Sequence, residues 1–321
     1  MLQSLQITNY RSIAKAAVAF RPFTVLVGAN GSGKSNLLKL LVDLSAVPNN
    51  GRAELARHFR RQDVAPRIDM QAARGTFVFD NFAYQGGGKP AELANVRLYA
   101  VDPNPIGGRE NLVVRPEVQP NGAGAIQVLD SLKTGDREDL FETIERQLHD
   151  FVPEIEKLSF ASGSSVKGLQ VREKGISTPV PVSELSEGTR LVLTLLTIFY
   201  QERKPSIICI EDIDRGLHPA LFGKIVEVCR NLVSVEGAPQ IIATTQNPYF
   251  VDQFIDDEDS VVLVEKVAAD TTFTSLRDRL AQLGGRHDDS LGSIWYSGLV
   301  GATPKPDVLH LPKIPGAASA E

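Results

Sequence analysis

A glycine-rich segment near the N-terminus has the residue types that bind phosphate. Residues 28–35 read GANGSGKS and fit the Walker A pattern G-x-x-x-x-G-K-[ST]. Glycines let backbone N–H groups curl around phosphate oxygens, and the following helix N-terminus adds its positive dipole end. Lys34 is expected to neutralise the β- and γ-phosphates, and the Ser35 hydroxyl to bind Mg²⁺. The expected nucleotide-binding residues here are Gly28, Ala29, Asn30, Gly31, Ser32, Gly33, Lys34, Ser35 and Asn36.

A pair of carboxylates follows an apolar stretch late in the chain. Residues 207–210 (IICI) lead directly into Glu211 and Asp212. Open α/β sheets bind their ligands at the carboxyl ends of the strands, so this pair lies where a functional site is expected. Glu211 is predicted to hold Mg²⁺, directly or through water, and Asp212 to polarise the attacking water. The alternative is a strand that simply ends in a solvated acidic turn.

A third segment, residues 185–189 (LSEGT), opens an apolar helix. Ser186 and Gly188 could offer a hydroxyl and backbone N–H groups to a phosphate at the helix N-terminus. The alternative is an ordinary capping box, with Ser186 as N-cap and Thr189 in the first turn. One helix and one strand fit between this segment and the carboxylate pair, and TTQNP at 244–248 ends the next strand.

Hydrophobic patterns predict the elements that must position these motifs. Buried-type strands are expected at 23–27, 206–210 and 240–244, with helices from about Lys34, at 189–201 and at 219–234. Alternating strands are expected at 2–8 and 13–20, and a further strand at 260–267. Segments 76–84, 93–101, 110–118 and 125–130 alternate like antiparallel strands, followed by a helix at 136–149 and extended segments near 155–160 and 166–173.

These elements predict the fold class and the domain organisation. The class is α/β, a P-loop core with a mainly parallel sheet and an inserted antiparallel β lobe with helical segments. Residues 1–50 and 181–300 are expected to form the discontinuous core, and residues 51–180 the inserted lobe. The Pro- and Ala-rich tail at 302–321 is expected to be flexible.

The composition is ordinary for a globular protein. With 34 basic and 39 acidic residues, the net charge of −5 disfavours a globally basic nucleic-acid binder but leaves a local basic patch open. Cys209 and Cys229 stand in apolar or helical contexts without metal-ligand spacing, which indicates a reducing, cytoplasmic compartment. No apolar run approaches the ~20 residues that span a bilayer, so no membrane partner is expected.

The order of the motifs resembles that of a known family. Walker A, LSEGT, an apolar strand with two carboxylates, LHP at 217–219 and then TTQNP follow one another as in ABC-type ATPases of the SMC/RecF class. The chain looks like their compact prokaryotic AAA/OLD-like members, which serve DNA repair and anti-phage systems. The likeness covers residues 1–48 and 181–300, and the opening ITNYRSI resembles the first strand, turn and arginine of those proteins.

The resemblance implies head-to-tail dimers that sandwich two ATP molecules. Each ATP would lie on the Walker A loop of one subunit and be capped by Ser186 and Gly188 of the other. Arg11 would contact phosphate or base, and a solvated turn residue is the alternative. His218 would lie at the dimer interface beside the partner's site, and a helix-entry residue before Pro219 is the alternative.

Two features depart from the pattern of this family. Glu211-Asp212 stands where many relatives have Asp-Glu, so the metal-side carboxylate is longer and the catalytic-side carboxylate shorter. A carboxylate that is one methylene short reaches its water poorly, and small misplacements can cost ~100-fold in rate. Gln246 stands at a switch position that is often His; glutamine can hydrogen-bond a γ-phosphate or water but carries no proton. Both changes predict slow turnover.

No second enzymatic site is predicted. OLD-like relatives carry a TOPRIM nuclease domain, which needs a Glu followed by an Asp-x-Asp pair. Glu265 stands at a suitable place, but no Asp-x-Asp follows it in a strand context. The acidic run at 256–259 (DDED) is interpreted as a solvated turn.

Segment 51–75 is the candidate functional surface outside the nucleotide motifs. Arg57, Arg60 and Arg61 would lie on neighbouring turns of a helix and give a cationic stripe for DNA or RNA phosphates. A solvated helix or a protein contact is the alternative, because six arginines stand against three acidic residues in this segment.

The predicted function is ATP binding and Mg²⁺-dependent hydrolysis by a nucleotide-gated homodimer or higher homo-oligomer. Its output would pass to nucleic acid or to a separate effector, a nuclease or toxin, in DNA repair or anti-phage defence. One alternative is a non-hydrolysing ATP-gated scaffold that clamps or regulates such an effector. Another is the ATPase subunit of a membrane transporter, which LSEGT in place of LSGGQ and the N-terminal strand–Arg turn disfavour.

Overall fold

A computed structural model describes most of the chain. It covers residues 1–48, 60, 64, 66–86, 88–105, 110–111, 116–161, 166–285 and 289–303. Most of the arginine-rich segment, with Arg57 and Arg61, and nearly all of the predicted tail lie outside the described residues.

Strands and helices alternate along much of the described chain. The strands are Leu2–Tyr10 (β1), Ile13–Ala19 (β2), Phe23–Val27 (β3), Arg67–Ala72 (β4), Gly75–Asp80 (β5), Ala83–Gln85 (β6), Val96–Tyr99 (β7), Glu110–Asn111 (β8), Ile155–Phe160 (β9), Val166–Lys167 (β10), Leu169–Glu173 (β11), Val180–Pro181 (β12), Ile207–Ile210 (β13), Gln240–Thr245 (β14), Val261–Val267 (β15) and Asp270–Ser275 (β16). The helices are Lys34–Ala46 (α1), Ala125–Thr134 (α2), Glu138–Phe151 (α3), Glu187–Tyr200 (α4), Phe222–Val233 (α5), Pro248–Val251 (α6), Leu276–Gln282 (α7) and Leu291–Tyr296 (α8). In the described part of the chain, no helix is long and apolar enough to cross a bilayer.

The central sheet positions the nucleotide motifs. Its described strands run in the order β16-β15-β3-β14-β13-β7. Strands β15, β3, β14, β13 and β7 are parallel to one another, and β16 is antiparallel to β15 at the edge of the sheet. All five residues of β3 are buried, as expected for a strand covered on both faces. Strand β14 lies between β3 and β13, and all three are parallel. Their carboxyl ends therefore meet at one edge of the sheet.

Each face of the central sheet has its own hydrophobic core. Along β13, Ile207 and Cys209 join the core that contains α1, while Ile208 and Ile210 join the core that contains α4 and α5. This alternation follows from the two-residue period of a strand, and it explains why the segment is apolar throughout. The prediction of an α/β P-loop core with a mainly parallel sheet is confirmed.

An antiparallel sheet with the order β2-β1-β4-β5-β6 covers the α1 side. Its residues Leu5, Ile7 and Met70 share one core with α1. A smaller antiparallel sheet, β12-β11-β9, packs with α2 and α3 into the other core. Elements from 67–181 therefore share both cores with the nucleotide motifs, and the division into a core and an inserted lobe at residues 50 and 180 stays a prediction.

Two antiparallel strand predictions are wrong. The segment 93–101 contains β7, which pairs in parallel with β13 at the edge of the central sheet. Because Arg97 is exposed, the sequence of this edge strand alternates between apolar and polar residues. Such alternation does not show whether the neighbouring strand is parallel or antiparallel. The segment 125–130 begins α2, whose buried Ala125, Val128, Leu129 and Leu132 follow helical spacing. Six residues are too few to distinguish the 3.6-residue period of a helix from the two-residue period of a strand.

Two further segments are shorter or more broken than predicted. Residues 76–84 hold β5 and β6, joined by a tight turn in which Asn81 and Phe82 both have positive φ. Of residues 110–118, only 110–111 form a described strand, paired with β10, and residues 112–115 lie outside the described chain.

Candidate nucleotide site

A cleft of about 200 Å³ opens at the carboxyl edge of the central sheet. The Walker A loop (residues 28–35) forms one wall, between β3 and α1, and the ends of β13 and β14 form the other. The lining residues are Asn30, Gly31, Ser32, Gly33, Lys34, Ser35, Asn36, Glu211, Asp212, Thr244 and Gln246. The cleft therefore unites the glycine-rich loop, the carboxylate pair and the TTQNP segment, which are far apart in sequence.

Lys34 is buried at the base of the Walker A loop. Its Nζ donates to the carbonyl oxygens of Gly28 at 2.6 Å and Ala29 at 2.9 Å. Burial lowers the pKa of Lys34, and the negative charges of Asp212 and Glu211 oppose that shift. The ammonium is thus held by loop carbonyls while it faces the two carboxylates across the cleft.

Glycine is required at positions 28 and 33 of the loop, because neighbouring atoms pack too closely there to leave room for a side chain. A Cβ at Gly28 would overlap the carbonyl oxygen of Val264, in the neighbouring strand β15. Gly33 has a φ of 114°, and a Cβ there would overlap the side chain of Thr271. These contacts give the glycines of the motif a packing reason in addition to their phosphate chemistry.

A chain of side-chain hydrogen bonds supports the loop from behind. Asn36 Nδ2 donates to Ser12 Oγ at 2.7 Å, and Ser12 Oγ lies 2.7 Å from Thr271 Oγ1. Thr271 Oγ1 in turn donates to the Ser32 carbonyl at 2.8 Å. Sequence reasoning missed Ser12 and Thr271, because they are 259 residues apart and neither belongs to a local motif. Asn36 lines the cleft, but its amide is engaged in this support.

Glu211 lines the cleft and has one buried carboxylate oxygen without a hydrogen-bond partner among the described residues. Its backbone N–H donates to Tyr99 O at 2.8 Å, while its Oε1 is buried and makes no hydrogen bond within the described structure. A buried carboxylate oxygen without a partner is costly, and a hard cation is a partner that would satisfy it. Together with the Ser35 hydroxyl on the same cleft, this donor set fits Mg²⁺.

Asp212 is held in an unusual backbone conformation. Its φ is 46°, and its N–H donates to Thr244 Oγ1 at 2.9 Å, which ties the end of β13 to β14. Its side chain is exposed to the cleft. Positive φ in a non-glycine residue is a strained state that recurs at functional sites.

Gln246 lines the cleft at the end of β14 and is exposed. The residues on either side of it, Thr245 and Asn247, both hydrogen-bond the half-buried carboxylate of Asp214. Burial raises the pKa of Asp214, and these hydrogen bonds oppose the shift. Asn247 also caps α6 by accepting from Tyr249 N at 3.0 Å. The peptide segment around Gln246 is therefore fixed although its side chain faces solvent.

Four predicted residues outside the Walker A loop do not line this cleft, and three of them were expected to contact nucleotide. Arg11 Nε donates to the Tyr10 hydroxyl at 3.0 Å, and its guanidinium lies 5.5 Å from the ring centroid. Ser186 Oγ accepts from Thr189 N at 3.2 Å, which is the capping alternative, at the N-terminus of α4. A Cβ on nearby Gly188 would lie 3.2 Å from the carbonyl oxygen of Gly216. A contact of Arg11, Ser186 or Gly188 with nucleotide stays a prediction.

The fourth, His218, is exposed and its Nδ1 accepts from Ala220 N at 3.2 Å, which is the helix-entry alternative. Glu265, considered as a nuclease carboxylate, binds Arg279 Nη2 through Oε2 at 2.6 Å and Ala302 N through Oε1 at 2.9 Å. Both oxygens of Glu265 are thus engaged within the chain.

The chain is similar to AAA ATPases over two stretches. Residues 1–59 match a family model described as an AAA ATPase domain. Residues 125–252 match one described as an AAA domain and a candidate AbiEii toxin of a type IV toxin–antitoxin system. No curated protein sequence matches the chain.

The fold is similar to that of SMC head domains. One is an SMC head bound to the C-terminal winged-helix domain of ScpA, at 14% identity and a TM-score of 0.55; the alignment covers 85% of this chain and 97% of that one. Another is the SMC head domain from Thermotoga maritima, at 12% identity and a TM-score of 0.52, covering 85% and 98%. The parallel sheet and the Walker A cleft agree with both findings: the chain is similar to AAA ATPases over two stretches of its sequence and shares the fold of SMC head ATPase domains.

Proposed function

We propose that the protein binds ATP in the cleft and hydrolyses it slowly in the presence of Mg²⁺. The observation that carries this proposal is the meeting of Lys34, Ser35, Glu211 and Gln246 around one cleft of about 200 Å³. Backbone N–H groups of the glycine-rich loop and the N-terminus of α1 would receive the phosphates. Lys34 would leave its two carbonyl partners for the β- and γ-phosphates.

Ser35 and Glu211 would hold the metal ion, which, when bound, supplies charge neutralisation at the phosphates. Asp212 would orient the attacking water, and its anchoring to Thr244 through the backbone would fix the reach of its short side chain. Gln246 would hydrogen-bond the γ-phosphate or that water, and its amide cannot take up a proton. A short carboxylate and an amide at these two positions support slow turnover.

We further propose that ATP gates a homodimer, with Ser186 and Gly188 acting on the partner's nucleotide. In support, the N-terminus of α4 lies outside the cleft of its own chain, and Ser186 is exposed there. One of the similar structures is an SMC head bound to a winged-helix domain, and one matching family description names a toxin. Both support a separate effector protein as the recipient of the nucleotide signal, in DNA repair or anti-phage defence.

A direct nucleic-acid contact through the arginine-rich segment has less support. Arg60 forms an ion pair with Asp270 at 2.5 Å and donates to Ala269 O at 3.0 Å. The guanidinium of Arg60 is therefore already paired with groups of the same chain. Arg57 and Arg61 lie outside the described residues.

Two measurements test the proposal on the full chain. Phosphate release under excess ATP and Mg²⁺ gives the turnover, and sedimentation velocity with and without ATP gives the oligomeric state. We expect slow, Mg²⁺-dependent turnover and an ATP-dependent dimer, and we expect Asp212→Ala to reduce turnover while prolonging the dimer. An ATP-dependent dimer without turnover would favour the non-hydrolysing scaffold. Unchanged turnover and dimer lifetime in Asp212→Ala would show that the role given to this residue is wrong.

A further inference from the structure

Glu265 lies on β15, the strand that flanks the Walker A strand β3. Its side chain is 22% exposed and forms an ion pair with Arg279 of α7, which is 29% exposed. Neither residue lines the cleft. The nucleotide site as described above therefore assigns no role to this carboxylate.

A continuous path of hydrogen bonds links Glu265 to the Walker A loop. Glu265 Oε1 accepts from the N–H of Ala302 at 2.9 Å. The carbonyl of the same residue, Ala302, accepts from the N–H of Ala29 at 2.8 Å. Ala29 is the second residue of the Walker A loop, and its own carbonyl holds the ammonium of Lys34. Only one residue thus separates the carboxylate from the loop that would receive phosphate.

The segment that carries Ala302 is shaped for this contact. Gly301 and Ala302 have φ values of 75° and 61°, a conformation that is rare for a non-glycine residue such as Ala302. A Cβ on Gly301 would overlap Glu265 Oε1, so the carboxylate can approach this peptide only because residue 301 is glycine. Val300 is fully buried and anchors the segment in the core. Strain of this kind persists only where the surroundings fix it.

We propose that Glu265 is a positioning residue for the Walker A loop, acting through the N–H and C=O of Ala302. The carboxylate orients the Ala302 peptide, and the peptide holds Ala29 in the conformation that aims the loop at phosphate. Loss of the carboxylate frees the peptide and loosens the loop before any nucleotide is present. The effect on nucleotide binding rests on the proposed function, while the effect on the loop does not.

The competing account is that Glu265 matters only for stability, through its ion pair. Asp259 provides the matched control. It precedes the same strand, is 26% exposed, and forms ion pairs with Arg21 at 3.1 Å and with Arg277 of α7 at 3.2 Å. Asp259→Ala therefore removes a comparable carboxylate whose ion-pair partners lie outside the Walker A loop. Glu265→Gln is the conservative variant, because its amide oxygen can still accept from Ala302 N–H.

The first experiment follows hydrogen exchange of the Ala29 amide in the nucleotide-free full chain. We expect Glu265→Ala to exchange about tenfold faster than the wild type at Ala29, and Glu265→Gln to stay within about threefold. Asp259→Ala is expected to leave Ala29 unchanged. Unchanged exchange in Glu265→Ala, or an equal acceleration in Asp259→Ala, would overturn the proposal. If Glu265→Ala does not fold, Gly301→Ala provides a second way to break the same contact.

The second experiment measures the affinity and turnover of ATP with Mg²⁺. We expect Glu265→Ala to raise the KM for ATP about five- to tenfold with kcat within about twofold, and Glu265→Gln to restore most of the affinity. A fall in kcat at unchanged KM would contradict a positioning role. If the wild type binds no nucleotide, the proposed function fails, and the exchange experiment still decides the role of Glu265.

Discussion

The two walls of the cleft are built in different ways. The Walker A wall is held from several distant parts of the chain, by Thr271, Ser12 and Ala302, and its Lys34 is 6% exposed. On the opposite wall, Asp212 and Gln246 are exposed and Glu211 carries a buried oxygen without a partner in the described structure. The first wall is braced by hydrogen bonds within the protein, and the second keeps groups open toward the cleft. We therefore expect the Walker A wall to hold its shape before a nucleotide enters, and the groups of the opposite wall to find their partners only when nucleotide and metal ion are bound.

The largest effect is expected at the point where the two walls face each other. Lys34→Ala removes the cation that faces both carboxylates, and we expect ATP to bind about 100-fold more weakly or worse. Lys39→Ala removes an exposed lysine from the same helix and should change affinity by less than about twofold. Titration calorimetry checks both variants. Wild-type affinity in Lys34→Ala would mean that ATP does not use this cleft.

Glu211→Gln tests the wall opposite the Walker A loop, because its effects on ATP turnover and on stability can be measured separately. We expect Mg²⁺-dependent turnover to fall about 100-fold, because the metal loses a charged ligand. The melting temperature without nucleotide should change little, because a neutral amide is cheaper to bury at the Oε1 position, unpartnered in the described chain, while the negative charge that Glu211 places near Lys34 is lost. A lower melting temperature would show that Glu211 stabilises the fold, and the contrast between the walls would fail at this residue.

Gln246→Ala should change catalysis without changing the fold. Asp214 fixes the neighbours of Gln246 on both sides, so the backbone should stay in place when the exposed side chain is removed. We expect kcat to fall about tenfold at an unchanged dissociation constant for ATP. Stopped-flow binding and steady-state turnover measure the two quantities separately. An equally large loss of affinity for ATP would mean that Gln246 contributes to binding, as the residues of the Walker A wall do.

Thr271→Val should produce the smallest effect, and it should appear mainly in stability. The substitution removes the donor to the Ser32 carbonyl and the contact with Ser12 while keeping the side chain's shape. We expect the free energy of unfolding to fall by about 1–2 kcal/mol and the affinity for ATP by about fivefold. Thr272→Val, at the next and less buried position, should cost below about 0.5 kcal/mol. Equal losses in denaturant titrations of the two variants would contradict a specific support role.

The Walker A wall could be predicted because its chemistry lies within eight consecutive residues. The strand before it, the glycines and Lys34 all form a local pattern, and the structure places them as that pattern implies. The carboxylate pair can also be predicted, because a strand covered on both faces is a short, wholly hydrophobic run, and the pair follows it directly.

The supporting contacts could not be predicted, because they depend on residues brought together from distant segments. Ser12, Thr271 and Ala302 have ordinary side chains, and only the sheet order places them beside the loop. The parallel pairing of the edge strand at 96–99 with β13 could not be predicted for a related reason. Alternation shows which face of a strand is buried, and it does not show which strand lies beside it.

The sheet order also determines when this site can come into existence during protein synthesis. Strand β3, which ends at the Walker A loop, lies between β14 and β15, so both its neighbours come from residues after 239. At ~5–20 residues per second, a ribosome needs ~10–40 s to make the intervening chain. Throughout that time the apolar strand at 23–27 has no native neighbour to pair with. In the nascent protein, both edges of this strand therefore lack their native hydrogen-bond partners until late in synthesis, a state that favours aggregation.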